Sequence, residues 1–243
     1  MALRWNPLPA LSGNPGAVVA VYWLVALAAI CTMLGFQTRI AAAVLALGYV
    51  AFHHRNPVIL NSGDTLIRQS LLILALAPSG RALSLDAWLA AKKGKPLDPM
   101  VSRWSTSMLQ FQMAVMYGTT VWHKILGAHW VDGTASWYAA QLSEFQRFPM
   151  PAWFDAPPFL QIVTWGTLVI ELMLASTVFW KPTRAISLWL GVLLHVGIEY
   201  RMNIPFFAFI CMTQYVTHFK GEEMDAFLAR FKRKPSAEVA PAT

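Results

Sequence analysis

A chain of 243 residues that is 56% hydrophobic and only 13% charged, with a mean hydropathy of +0.47, is too apolar for a water-soluble domain, where charged residues make up about 25%. The net charge of +7 does not point to nucleic acid, because the basic residues fall between apolar runs instead of along one soluble face. The two cysteines, Cys31 and Cys211, each lie inside an apolar run with no CxxC pattern; this excludes the usual dithiol motif and a cysteine-rich metal cluster, and they read as small buried hydrophobes.

Crossing the hydrocarbon core of a bilayer takes about 20 mostly apolar residues. In chain order, residues 1–14 form a Pro-rich external segment, and apolar spans are expected at 15–35, 38–54, 65–79, 104–127, 158–180, 184–200 and 203–219. The third and the last two are short or interrupted. The expected fold is therefore an all-α, polytopic transmembrane bundle of six to seven spans over residues 15–219. Pro57, Pro78, Pro182 and Pro205 fall at span ends, where proline is tolerated. Residues 80–103 read as a linker with a helical stretch at 85–93. Residues 128–157 are the largest loop on the opposite side, with an interfacial helix expected at 134–145. Residues 221–233 place Met224, Phe227, Leu228 and Phe231 on one face of a surface-lying helix, and the tail after it reads as disordered.

Orientation follows from the basic residues of alternate loops. One side receives thirteen: Arg39, Arg81, Lys92, Lys93, Lys95, Arg103, Lys181, Arg184, Lys220, Arg230, Lys232, Arg233 and Lys234. The other receives four: Arg4, Arg55, Arg147 and Arg201. The richer side is expected to be cytoplasmic, with the segment 220–243 inside and the N-terminus outside. An outside N-terminus without a signal peptide suggests one more helix upstream.

Ionisable groups inside spans are costly, so each needs a reason. They gather toward the ends expected to be external. His53, His54 and Arg55 precede Asn61, Asp64 and Arg68; His123 and Lys124 precede His129, Trp130 and Asp132; His195 and Glu199, one helical turn apart, precede Arg201 and Asn203. Lys124 shares a helix face with Tyr117, Thr120, Val121 and Gly127. Facing into the bundle, its amine is partly desolvated and suits a general base; facing out, it snorkels to the headgroups. His195 fits a bundle-facing hydrogen bond as well as catalysis, and His53–His54 reads as an interfacial pair. Glu171, in the middle of the span at 158–180, needs a partner, expected to be Arg68 or a backbone carbonyl. No HxxxH or HxxE pattern suggests a metal site.

Several short motifs occur in order: Arg55-Asn56-Pro57, Asn61-Ser62-Gly63-Asp64, Pro78-Ser79-Gly80, Ser84-Leu85-Asp86, Tyr117, His123-Lys124-Ile125, Trp130-Val131-Asp132-Gly133, Leu194-His195 and Phe206-Phe207. Over roughly residues 20–219 this series resembles the horizontally transferred transmembrane (HTTM) family, the membrane module of vitamin K-dependent γ-carboxylases and their bacterial relatives. The resemblance implies an externally facing pocket for a reduced, vitamin K-like quinone. In the carboxylases a lysine deprotonates the hydroquinone. Oxygen then yields a strong base that removes a glutamate γ-proton, and the carbanion takes up CO₂. Lys124 stands where that catalytic lysine would be, and His195 resembles a pocket histidine. Lys124, His195 and Glu199 are thus the expected catalytic residues, and His123, Asn61, Asp64 and Arg68 the expected cofactor-binding ones. The chain departs from the carboxylases in having only about 24 residues after the bundle, where they carry a large peptide-handling region. Val58-Ile59-Leu60-Asn61-Ser62 stands where the family has a histidine, and the first membrane helix has no counterpart. The function expected is a quinone-linked, carboxylase-like enzyme embedded in the lipid bilayer. The alternative is a non-enzymatic membrane partner or chaperone for a secreted peptide or another membrane protein.

Overall fold

The computed structural model describes Leu8 and residues 13–55, 60–149 and 151–230, apart from the Arg55 side chain. The expected Pro-rich start, the residues around Pro57 and the tail from 231 lie largely or wholly outside these. The described residues are helical throughout, with no strand; the one extended pairing is an isolated bridge between Gln146 and Met202. The helices are α1 (Pro15–Leu34), α2 (Thr38–Arg55), α3 (Ser62–Leu76), α4 (Leu85–Lys92), α5 (Trp104–Ile125), α6 (Ala128–Val131), α7 (Ala135–Gln141), α8 (Pro157–Ala175), α9 (Lys181–Arg201), α10 (Phe207–Gln214) and α11 (Gly221–Ala229).

Local chemistry sets many of the ends. Asn14 accepts from the Ala17 amide and Pro15 opens α1. Gly35, at φ 67°, closes α1 in the left-handed conformation, its amide and that of Phe36 turning back to Thr32 and Cys31. Asn61 and Asp64 form a reciprocal capping box on α3: the Gly63 amide donates to Asn61 Oδ1 at 2.8 Å and the Asn61 amide to Asp64 Oδ2 at 2.7 Å.

Helices α3, α5, α8, α9 and α10 pack in a closed ring, with α2 against the outside of α3 and α1 against α2. Inside the ring Met113, Tyr117, Leu174, Val178, Leu188 and Tyr215 form one apolar cluster, and Leu66, Ile210 and Cys211 another. The outside is apolar as well. Trp23, Met33, Phe111, Ile162, Trp189 and Phe209 are all exposed, Met33 by 77% and Trp189 by 75%. Exposure of this kind on every side suits a bilayer and would be an aggregation hazard in water.

Among the described residues two helices, α1 and α8, are long and apolar enough to cross a membrane, with mean hydropathies of 2.4 and 1.5 over their best stretches. Helix length and apolarity do not confirm the six to seven spans expected. The seventh expected span is α10, eight residues long, continued by a 3₁₀ turn at Tyr215–His218, and α3 has fifteen residues. Helix α9 carries Lys181, Arg184, Glu199 and Arg201, which dilute its apolarity.

Candidate functional site

Helix α5 stops at Ile125, and after a turn at Leu126–Gly127 the chain resumes as α6 and α7. These short helices are not a free loop. They lie along the first half of α8: the Trp165 indole donates to the Val131 carbonyl at 3.3 Å, the Ser136 amide donates to Thr164 Oγ1 at 3.2 Å, and that hydroxyl donates to Ser136 Oγ at 2.9 Å. The expected helix at 134–145 is thus α7, Ala135–Gln141, followed by a 3₁₀ turn at Ser143–Phe145.

The break leaves Lys124 in the last turn of α5, beside the final third of α8. Its Nζ donates to Glu171 Oε1 at 2.5 Å. Glu171 lies fourteen residues beyond Pro157 and four before the end of α8 at Ala175, about 21 Å along a helix of about 28 Å. Thr120, one turn before Lys124, donates to the other carboxylate oxygen at 3.4 Å and is itself tied to the Tyr117 carbonyl at 2.9 Å. The Trp130 ring lies 4.5 Å from Nζ, in the range of a cation–π contact. The Glu171 side chain is 9% exposed and that of Lys124 is 20% exposed, so the pair is held inside yet can be approached from the lysine side. The partner of Glu171 is thus Lys124, not Arg68 or a backbone carbonyl as the sequence suggests: the two residues stand 47 positions apart, and only the packing of α5 on α8 joins them.

Two turns below Lys124 on the same helix, Tyr117 opens a second polar cluster. Nδ1 of His195 lies 2.8 Å from the Gly191 carbonyl, one turn back on α9. Donation there leaves Nε2 to accept from the Tyr117 hydroxyl at 3.3 Å. The Tyr215 hydroxyl lies 3.3 Å from that of Tyr117 and 3.2 Å from Nδ1. His195 is 1% exposed, and its ring nitrogens are both engaged. The small Gly191 lets Tyr215 in: a Cβ there would stand 2.6 Å from its hydroxyl.

The remaining expected site residues lie elsewhere. Glu199, one turn past His195, forms an ion pair with Arg147 at the end of α9, beside the Gln146–Met202 bridge, while Arg201 reaches Asp155 at 3.0 Å. His123 is exposed, turned about 100° from Lys124 on α5, and makes no described polar contact. Asn61 and Asp64 are occupied in capping α3. Asp64 also accepts from the Tyr49 hydroxyl at 2.8 Å and lies 3.5 Å from His53 Nε2. Arg68 follows one turn along α3 and is half-buried. The structure therefore joins Lys124 to Glu171, and His195 to Tyr117 and Tyr215. It sets Glu199 in a surface cap and the α3 group at a separate helix end. Thr120, Trp130, Glu171 and the two tyrosines were missing from the expected site. Spacing on α5 (117, 120, 124) was the available signal for two of them.

A family model described as the HTTM domain matches residues 7–222, most of the chain. The chain belongs to the HTTM family. The HTTM domain is a membrane module, so this HTTM protein is a membrane protein in a lipid bilayer context. It is also similar to an uncharacterized protein, YitO, of Bacillus subtilis (strain 168), at 33% identity over 78 residues. That stretch is 30% of this chain and 25% of the relative, so the HTTM protein matches only about a quarter of YitO's length. No solved structure matches it.

Proposed function

We propose that this HTTM protein is a multi-pass membrane enzyme of the carboxylase-like type, N-terminus outside and C-terminus cytoplasmic, whose working group is Lys124 acting on a reduced quinone. The observation that carries this reading is the Lys124–Glu171 contact of 2.5 Å, made within α8, one of the two helices fit to cross a bilayer. A lysine and a glutamate are expensive to place there, and α5 ends at Ile125, directly after the lysine.

The residues present fit an aromatic cofactor with an acidic hydroxyl. Lys124 offers a nitrogen that is partly open, and the Trp130 ring beside it offers a flat apolar face. A reduced quinone bound there would supply a phenol proton. Nζ can accept a proton only as the free amine, and Glu171 provides the route to it: moving one proton from Nζ to Oε1 converts the ion pair to a neutral pair. In a low-dielectric interior that transfer relieves the desolvation burden that the ion pair bears for both charges. Thr120 holds the carboxylate from its other side, and the His195–Tyr117–Tyr215 cluster fixes the face of α5 that presents Lys124.

The alternative is a non-enzymatic membrane partner or chaperone in which the same pair is only a clasp between α5 and α8. Lys124→Arg separates the two readings. Arginine keeps the charge and the contact but gives up no proton at any working pH. Under the base reading, organic extraction of the purified wild-type protein yields a stoichiometric quinone, and the Arg variant folds but fails to turn that quinone over. Full function in the Arg variant, or protein purified without any quinone, overturns the proposal in favour of the clasp.

A further inference from the structure

We infer that residues 81–104 form a peripheral foot that binds an anionic phospholipid surface on the side of the membrane shared with the C-terminus. This rests on the membrane reading above and is independent of the chemistry at Lys124.

Helix α4 is pinned to the end of the α1–α2 hairpin. Asp86 accepts from the Gln37 amide at 2.9 Å and from the Thr38 amide and hydroxyl at 3.3 Å each, and its own amide donates to the Gly35 carbonyl at 3.0 Å. The Ser84 hydroxyl caps the helix at 3.0 Å. The segment is thereby fixed at the edge of the bundle, where an apolar α1 ends and the headgroup zone begins.

Two kinds of side chain alternate along it. Leu83, Trp88, Leu97, Met100, Val101 and Trp104 are exposed, Leu83 by 85% and Met100 by 82%. Among them stand Arg81, Lys92, Lys93, Lys95 and Arg103, five basic residues against two acidic ones, Asp86 and Asp98, a net charge of +3. Both acids accept from backbone amides, Asp86 as described and the exposed Asp98 from that of Met100 at 2.9 Å. None of the five basic residues takes part in a described ion pair. The Lys92 ammonium lies 4.4 Å from the centre of the Trp88 ring, so an interfacial indole and a cation share one face. Apolar side chains with uncompensated cations at the margin of a membrane bundle match acyl chains below and phosphate groups above. A soluble acidic partner would complement the charge but leave Leu83 and Met100 without apolar contact.

The full-length protein in lipid nanodiscs provides the test, read by amide hydrogen exchange of residues 85–104. In discs of phosphatidylcholine containing phosphatidylglycerol, this segment should exchange about tenfold more slowly than in phosphatidylcholine alone, given the attraction of each lysine to an anionic surface. The difference should shrink at high salt and vanish in the triple variant Lys92→Gln, Lys93→Gln, Lys95→Gln, while exchange of α8 stays the same. Equal exchange in the two lipids, or a difference that survives in the triple variant, overturns the inference. Protection that appears only in discs holding two copies assigns the surface to self-association and overturns it as well. The membrane reading fails separately, through loss of the protein from the discs. If the triple variant does not insert, the salt dependence of the wild type decides alone.

Discussion

The Lys124–Glu171 pair gains its meaning from what each partner would do alone. Removing one leaves the other unpaired between helices, and breaking a pair of this kind costs about 3 kcal/mol. Lys124→Met should therefore lower the thermal stability of the detergent-solubilised protein, whereas a solitary lysine could be lost at little cost. The double variant Lys124→Met, Glu171→Leu should recover most of that loss, because the desolvation burden disappears with both charges. A double variant less stable than either single one would mean that the pair does not form. His195 makes a second case. Replacing it with Leu takes from the buried Tyr117 hydroxyl one of its two partners and leaves it only that of Tyr215, and a cost of about 1 kcal/mol in the same unfolding measurement is expected. A change near zero would show that the tyrosines satisfy one another.

Among the elements, the tight turns fix where helices meet. Gly35 combines φ 67° with a Cβ position 2.4 Å from that of Ser84. Gly35→Ala thus adds left-handed strain to a clash with the α4 cap, and should cost at least about 2 kcal/mol by thermal unfolding. Wild-type stability in that variant would show that α4 is not seated on the hairpin. Helix α11 is held differently. Glu223 accepts from the Lys220 amide at 2.8 Å and pairs with Arg184, and these contacts hold its carboxyl below the ordinary 4.5. A carboxyl lowered in the folded state stabilises it above the ordinary value, and that contribution is lost as pH falls through the folded value. Amide exchange of residues 221–229, taken relative to that of α8, should therefore hold constant from pH 7 to about 5 and accelerate below about 4.5. Glu223→Gln should show the faster exchange already at pH 7, and an unaltered profile in that variant would remove the role given to Arg184.

For the whole molecule the main question is which face meets which compartment. In the orientation we propose, the thirteen-to-four distribution of basic residues puts 80–103 in the cytoplasm and 128–157 outside. In a Cys31→Ala background, Lys92→Cys should react with an impermeant thiol reagent only after the membrane is opened, and Ser143→Cys should react in intact cells. The reverse pattern would turn the protein over and move the opening beside Lys124 to the other side.

Much of this was legible in the chain. Hydropathy sets the helical, membrane-bound class, because in lipid every backbone group must be paired within its own segment. The prolines at 15, 157 and 182 and the Asn61–Asp64 box mark helix starts through local chemistry alone. The order of short motifs carries the family. The spacing of Tyr117, Thr120 and Lys124 gives one face of α5. Other features required the tertiary structure. Glu171 is visible as a costly mid-span carboxylate, but nothing local names Lys124 as its partner, since ion pairing across 47 residues depends on how two helices pack. His195 and Glu199 share a helix face by periodicity, yet one turn is enough to carry the chain from the buried core to the surface cap around Arg147. The segment after Gly127 reads as a loop carrying one interfacial helix, and α6, four residues long, is too short for a periodic signal. Only its packing along α8 shows that it continues the bundle and places Trp130 over the lysine.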